Sequence, residues 1–267
     1  MNIRIGYEIA YELPYPAAVM FLLYTHPSRA ADLQGPDEVR VTPDLPVHTF
    51  LDPFGNRCGR IAAPAGPLRL TNDLVVTDSG LPDAYVPDAM QHRVEDLPDD
   101  TLPYLLGSRY CDVQQFSQMA WDLFGTVPPG WAKVQAICDY VHQHIRFDYQ
   151  KARPTKTAWD VWNEKEGVCR DYMHLAITFC RCLNIPARYA TGYLGDIGVP
   201  LVLPMDFSAW FEVYLGGQWH TFDARNNKRR IGRILMARGR DAVDCALTTS
   251  FGDANLKQFT VWTDVVE

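Results

Sequence analysis

Cys169 stands directly after Gly167-Val168, where the stretch "GVCRDYMHLAITFCRCLNIPARYATGYL" turns helical. The first turn of a helix carries unpaired N–H groups and the positive end of the helix dipole. Both favour a thiolate over a thiol. A thiolate attacks carbonyl carbon, and the same N–H groups can hold the oxyanion that forms. Packing alone can also place a cysteine at a helix start. Cys180 and Cys182 lie mid-helix among apolar neighbours and read as core. Their Cys-x-Cys spacing on a helix is poor for zinc.

A nucleophilic cysteine needs a proton acceptor and a group to orient it. The stretch "MDFSAWFEVYLGGQWHTFDAR", from Met205 to Arg225, reads as two strands joined by Gly216-Gly217. A two-residue loop pairs Leu215 with Gln218. Counting back sets Trp210 opposite Asp223 and Ser208 opposite Arg225. Alternation then puts Ser208, Trp210, Glu212, Thr221, Asp223 and Arg225 on one face. Ser208 and Asp223 become diagonal neighbours, roughly 7–8 Å apart at Cα. A histidine at 208 could donate a hydrogen bond to Asp223 and reach a thiol. A serine hydroxyl does not accept a proton near neutral pH. Asp206 shares the parity of Ser208; a carboxylate with a raised pKa is a weak base, and a solvated loop aspartate is the plainer reading. Among the other histidines, His220 points to the opposite face of its strand. His174 lies about 140° round the helix from Cys169. His142 and His144 belong to the preceding helix, and His26, His48 and His92 to the first part of the chain or its border.

The stretch "GVCRDYMHLAITFCRCLNIPARYATGYL" followed by "AWFEVYLGGQWHTFDAR" resembles the core of the transglutaminase-like superfamily of cysteine enzymes, over roughly residues 105–245. The order matches: a cysteine at a helix start, a strand normally reading His-Ala-Trp, then a strand ending Phe-Asp. The resemblance implies a Cys-His-Asp triad. Cys169 matches the nucleophile, Asp223 the orienting acid, and Ser208 stands where the histidine belongs. It also implies a thioester acyl-enzyme on peptide or isopeptide amides, with hydrolysis preferred to amine transfer. The alternative is a catalytically impaired domain that binds a peptide or protein. Trp159 or Trp162, upstream of the cysteine, could contribute near the oxyanion, and Trp210 and Asp206 complete the substrate-side candidates. The partner expected is a peptide or protein substrate.

These residues need a helix packed on a sheet. Val168, Tyr172, Leu175, Phe179 and Cys182 form a stripe that Met173, Ala176, Ile177 and Cys180 widen nearly all round, as in a core helix. It stops at Asn184-Ile185-Pro186, and a strand from Ala187 to Leu194 follows. Upstream, Trp131, Val134, Ile137, Cys138 and Val141 repeat at helical spacing after a proline. The first 90 residues read as β: "IRIGYEIAYEL" alternates, "AVMFLLYTH" is a buried run, and "VHTFLDPFGNRCGRIAAP" carries a hairpin signal. The expected class is α+β, with an N-terminal antiparallel β-sandwich-like domain over 1–95, which the family resemblance extends to. A linker over 96–111 and a papain- or transglutaminase-like core over 112–267, central helix on antiparallel sheet with a C-terminal strand segment, would follow.

Bulk properties exclude other classes. The chain has 267 residues and a net charge of −7. Residues 1–100 hold 7 Arg, no Lys and 15 Asp/Glu, so the first part is too acidic to bind nucleic acid or an anionic membrane. "ARNNKRRIGRILMARGRD" is rich in arginine, which suits an acidic partner or, more plainly, pairing with the acidic first domain. That density falls short of a nucleic-acid stripe. No apolar run approaches the ~20 residues a membrane helix needs. The start lacks the basic and apolar regions of a signal peptide, so an intracellular, cytoplasmic protein with free thiols is expected from its seven cysteines. No spacing implies a metal or an organic cofactor.

Overall fold

Ile3, Ile5, Tyr7 and Ile9 share one face of the first strand, and that face is completely buried. The alternation in sequence is therefore a strand lying on a core. The computed structural model describes residues 1–266. Six strands come first: β1 (Asn2–Leu13), β2 (Ala17–Phe21), β3 (Arg40–Thr42), β4 (His48–Leu51), β5 (Arg57–Ala63) and β6 (Gly66–Thr77). The hairpin signal is met by β4 and β5, which pair antiparallel from His48↔Arg60 to Leu51↔Arg57.

Two 3-10 turns, Val94–Asp96 and Asp99–Leu105, lead to the helices α1 (Val113–Phe124) and α2 (Trp131–His144). A short parallel pair, β7 (Arg146–Phe147) and β8 (Glu166–Gly167), brackets α3 (Ala158–Glu164). Then come α4 (Cys169–Cys182), β9 (Ala187–Leu194), β10 (Ser208–Leu215), β11 (Gln218–Phe222) and β12 (Arg233–Gly239). Strands β9 to β12 form one antiparallel sheet in the order β11-β10-β9-β12. On one side of it Ala187, Tyr189, Ala209, Phe211 and Val213 share a core with Met173, Ala176, Ile177 and Cys180 of α4. The α+β class and the helix-on-sheet core expected from the sequence are both present.

The last two strands differ from expectation. β13 (Thr248–Phe251) pairs with β2, and β14 (Asn255–Val266) runs the length of β1. The two opening sheets are thus β14-β1-β6-β3 and β13-β2-β5-β4. Their inner faces make one core, where Ile5 and Leu70 meet Phe21 and Ile61. The sequence division counted everything after 112 with the second unit; the ladders put the final strands in the first. The reason is physical: a strand with an unpaired edge is completed by any segment of matching length and alternation, however distant in sequence. The same core takes in Tyr193, Phe207, Ile234 and Met236, so the sandwich and the helical unit share packing across the β9–β12 sheet.

Candidate active site

The start of α4 is fixed by a carboxylate folded back on the chain. Val168 is extended, with φ −108° and ψ 177°, and its N–H donates to Asp171 Oδ2 at 2.9 Å. A Cβ on Gly167 would lie 2.7 Å from Asp171 Cβ and Oδ2, so only glycine leaves room for this contact. Asp171 is fully enclosed, and burial raises its carboxyl. Cys169, the next residue but one after that glycine, is half-buried with backbone N–H groups of Arg170 and Ala209 near its sulfur. Burial nevertheless pushes the thiol up to about 11. Arg225 and the two N–H groups pull it down, while Asp206 pushes it further up. The thiolate expected from the helix start is therefore not favoured. One helix end supplies a partial charge only, and loss of water around the sulfur outweighs it.

The hairpin has the register that its Gly-Gly loop dictates. Leu215 pairs with Gln218 and Phe211 with Phe222, and Gly216 and Gly217 hold φ of 57° and 86°. Two positive φ values in succession are the geometry of the turn that matches strand twist. Ser208 opens β10 and is buried, and its Oγ has no hydrogen-bond partner among the described residues. Asp223, one residue past β11, is equally buried. Its Oδ1 accepts from the N–H groups of Arg225 at 3.0 Å and Asn226 at 2.9 Å. Its Oδ2 accepts from Asn226 Nδ2 at 2.8 Å and Arg233 Nη2 at 2.9 Å. Burial acts to raise this carboxyl, but Arg233 and Asn226 outweigh it and hold the group below the usual carboxylate range. Arg233 comes from β12, also grips Asp83 through Nε at 2.9 Å, and lies 5.1 Å from the Trp210 ring centre. Asp223 is thus occupied by its own loop and by Arg233, with no lone pair left for an imidazole.

The remaining candidates separate. Trp210 is buried with Ala190 and Leu235, away from Cys169. Trp159 and Trp162 join an aromatic cluster around Phe116, and Trp162 stacks on His144 at 4.3 Å. Neither tryptophan lines a cavity with the thiol. The same holds for all seven histidines. His174 Nε2 accepts from the Ala242 N–H and its ring stacks on Tyr110, while His220 Nε2 lies 3.1 Å from the Leu215 carbonyl. Asp206 does reach the site, and burial raises its carboxyl.

Two cavities meet at the sulfur. One, of about 380 Å³, runs between Phe147 and Tyr149, the loop from Asp196 to Phe207, and Arg225, Lys228 and Arg230. The other, of about 670 Å³, lies towards Tyr110, Tyr189, Cys245, Leu247 and Phe259. Cys169, Asp206, Phe207 and Ser208 border both. The thiol therefore stands at the waist of an open cleft, a shape that suits an extended chain passing over it. Asp223 lines a different, smaller cavity beside Trp131 and Cys138. Sequence placed Arg225 opposite Ser208 but gave it no role, and it did not set Arg233 apart from its neighbours. For Arg233 the signal was the arginine-rich run, and it does not say which arginine turns where.

A model of the core of the transglutaminase-like superfamily matches residues 118–224. Over its full length the chain is similar to a Cytophaga hutchinsonii protein described as a "putative cysteine protease", at 31% identity, 91% of that chain covered and a TM-score of 0.84. An uncharacterized protein of Mycobacterium leprae is 33% identical over 91 residues, which are 33% of this chain. The match spans about a third of that curated relative, 32% of its length.

Proposed function

Since the chain belongs to the transglutaminase-like superfamily, we propose that its cleft binds a peptide segment across Cys169 and holds it without efficient turnover. The observation that carries this reading is the state of Asp223. A relay needs an acid free to orient a base and a base free to take the thiol proton. Asp223 is saturated by Asn226, Arg233 and two backbone N–H groups, and the base position is Ser208. With the thiol near 11, the thiolate fraction at neutral pH is on the order of 10⁻⁴. Loss of a general base alone costs about 10²–10⁴ in rate.

A second reading, slow hydrolysis of amides, is favoured by Asp206. This carboxyl borders both cavities beside the thiol, and burial raises its proton affinity. In that reading Asp206 takes the Cys169 proton as sulfur bonds to the amide carbonyl carbon. The proton passes to the departing amine as the C–N bond breaks, leaving a thioester. Water then displaces the thiol and the acid is released.

Alkylation of Cys169 by iodoacetamide against pH separates these cases, with Cys169→Ala correcting for the other six thiols. Binding without turnover predicts a rate still climbing above pH ~8.5, the unperturbed thiol range, and a lower midpoint in Ser208→His, where an imidazole can pair with the thiolate. A plateau at or below neutral pH in the natural sequence would overturn it. Cleavage of a peptide by the natural sequence that Asp206→Asn abolishes would establish the second reading.

A further inference from the structure

Structure divides the arginine-rich segment that sequence presents as a block. Four of its side chains are consumed by carboxylates. Arg230 pairs with Asp196 at 2.9 Å, Arg233 with Asp83 and Asp223 at 2.9 Å, Arg238 with Glu212 at 3.0 Å, and Arg240 with Asp244 at 2.9 Å. Arg229 donates to the Asp83 carbonyl. Arg225 and Lys228 form no ion pair among the described residues, and both line the 380 Å³ cavity with Cys169. From these two we infer that the cleft selects segments bearing a carboxylate next to the residue that lies over the thiol, with Arg225 as the specificity-determining cation. The inference rests on reading the cleft as a peptide site.

Arg225 is held ready for such a group. Its N–H is tied to Asp223 Oδ1, and its carbonyl lies 2.8 Å from His142 Nδ1. Its guanidinium carbon sits 4.1 Å from the centre of the Phe147 ring. A cation whose backbone and stem are already fixed loses little freedom when it meets its partner. It is close enough to Cys169 for its charge to act on the sulfur. A planar guanidinium with free N–H groups matches a carboxylate in shape as well as charge. Asp206 borders the same cavity, and its charge opposes a dianion more than a monoanion. That favours a carboxylate over a phosphate. On the other side of the thiol the wall is formed by Tyr189, Val243, Cys245, Leu247 and Phe259. Arg153 and Arg170 border this side too, but each already faces a carboxylate of the chain, Glu164 at 2.6 Å and Asp171 at 3.4 Å, so apolar side chains fit there better than a second carboxylate. The segment expected is therefore asymmetric, acidic on the Arg225 side and apolar on the Cys245 side.

The test uses full-length Cys169→Ala, which cannot acylate, and fluorescein-labelled octapeptide mixtures followed by anisotropy. One mixture fixes an internal Glu and has an amidated C-terminus. A second fixes Gln and keeps a free C-terminal carboxylate. A third fixes Gln and is amidated. The expected result is binding about tenfold tighter for at least one carboxylate-bearing mixture than for the third. The first two mixtures show whether a side chain or a chain end supplies the group. The preference should shrink on adding Arg225→Gln, partly return with Arg225→Lys, weaken between low and high salt, and survive Arg229→Gln. Equal binding of all three mixtures, or a preference that persists in Arg225→Gln, would overturn the inference and leave the peptide cleft standing. No binding of any mixture would remove the peptide cleft itself and the inference with it.

Discussion

At the scale of single residues, one arginine decides the character of the site. Arg233 is nearly enclosed and bridges two carboxylates, Asp83 and Asp223. Removing one partner of a buried ion pair leaves charge without compensation, which is costlier than the pair is valuable. Arg233→Met is expected to lower stability by about 3–5 kcal/mol, read as a fall in the urea midpoint at unchanged slope. Loss of under about 1 kcal/mol would mean that water reaches Asp223 freely. The placing of Cys169 at a helix start and of Ser208 on the first strand of the hairpin was legible in sequence, because a helix start and a two-residue turn set those positions locally. The state of Asp223 was not. Its fourth hydrogen bond comes from a strand beyond β11, and no spacing rule says that Arg233 rather than Arg229 turns inward. The tryptophans show the same limit: Trp159 and Trp162 sit on α3, and the packing of that helix on α1 decides where they face.

Among the elements, α4 and the β10–β11 hairpin were readable because period and punctuation agree. The helix ends at Asn184-Ile185-Pro186, and β9 occupies Ala187–Leu194. Strand partnership across the chain was not readable, and β14 is the case in point. It covers β1 from Asn2↔Val266 to Glu12↔Asn255, and its Val261 is buried opposite Tyr7. Val261→Asp places a carboxylate in the sandwich core without a partner. It is expected to strip protection from the β1 amides in hydrogen exchange, with loss of the β1–β14 ladder before the rest unfolds. Val265→Asp, on the same strand but 52% exposed, should change stability by no more than about 0.5 kcal/mol. Equal effects from the two would show that β14 is not held by its buried face.

For the molecule as a whole, buried titratable groups set the pH range of stability. Burial, reinforced by Arg238, lowers His26 to about 4, and burial lowers His174 well below the ordinary histidine value. Their folded values lie under the unfolded ~6.5, so their contribution is present above ~6.5 and is lost as pH falls through that value towards 4. Burial raises Cys58, Cys111, Cys169 and Cys182 to about 11. The unfolded thiols release protons from ~8.5, so stability falls as pH rises from there towards 11. Thermal midpoints measured from pH 4 to 10 should form a plateau between about 6.5 and 8.5 with a decline on both sides. A midpoint that keeps rising past pH 9 would contradict burial of the thiols. The acidic first hundred residues were legible as a charge imbalance, and Asp83 shows part of its use in the grip on Arg233.

The return of β13 and β14 to the first sheets also sets an order in time. Leu247, Thr248, Leu256 and Phe259 form the far wall of the larger cavity at Cys169, and all four are made well after the thiol. Domains fold from the N-terminus as synthesis proceeds, yet here β1, already paired with β6, waits for its second neighbour β14 through some 240 intervening residues. A growing chain that already carries the thiol has the sulfur open on one side. The cleft closes around Cys169 only when the strand that completes the sandwich arrives, so a binding-competent site and a finished first domain are the same event.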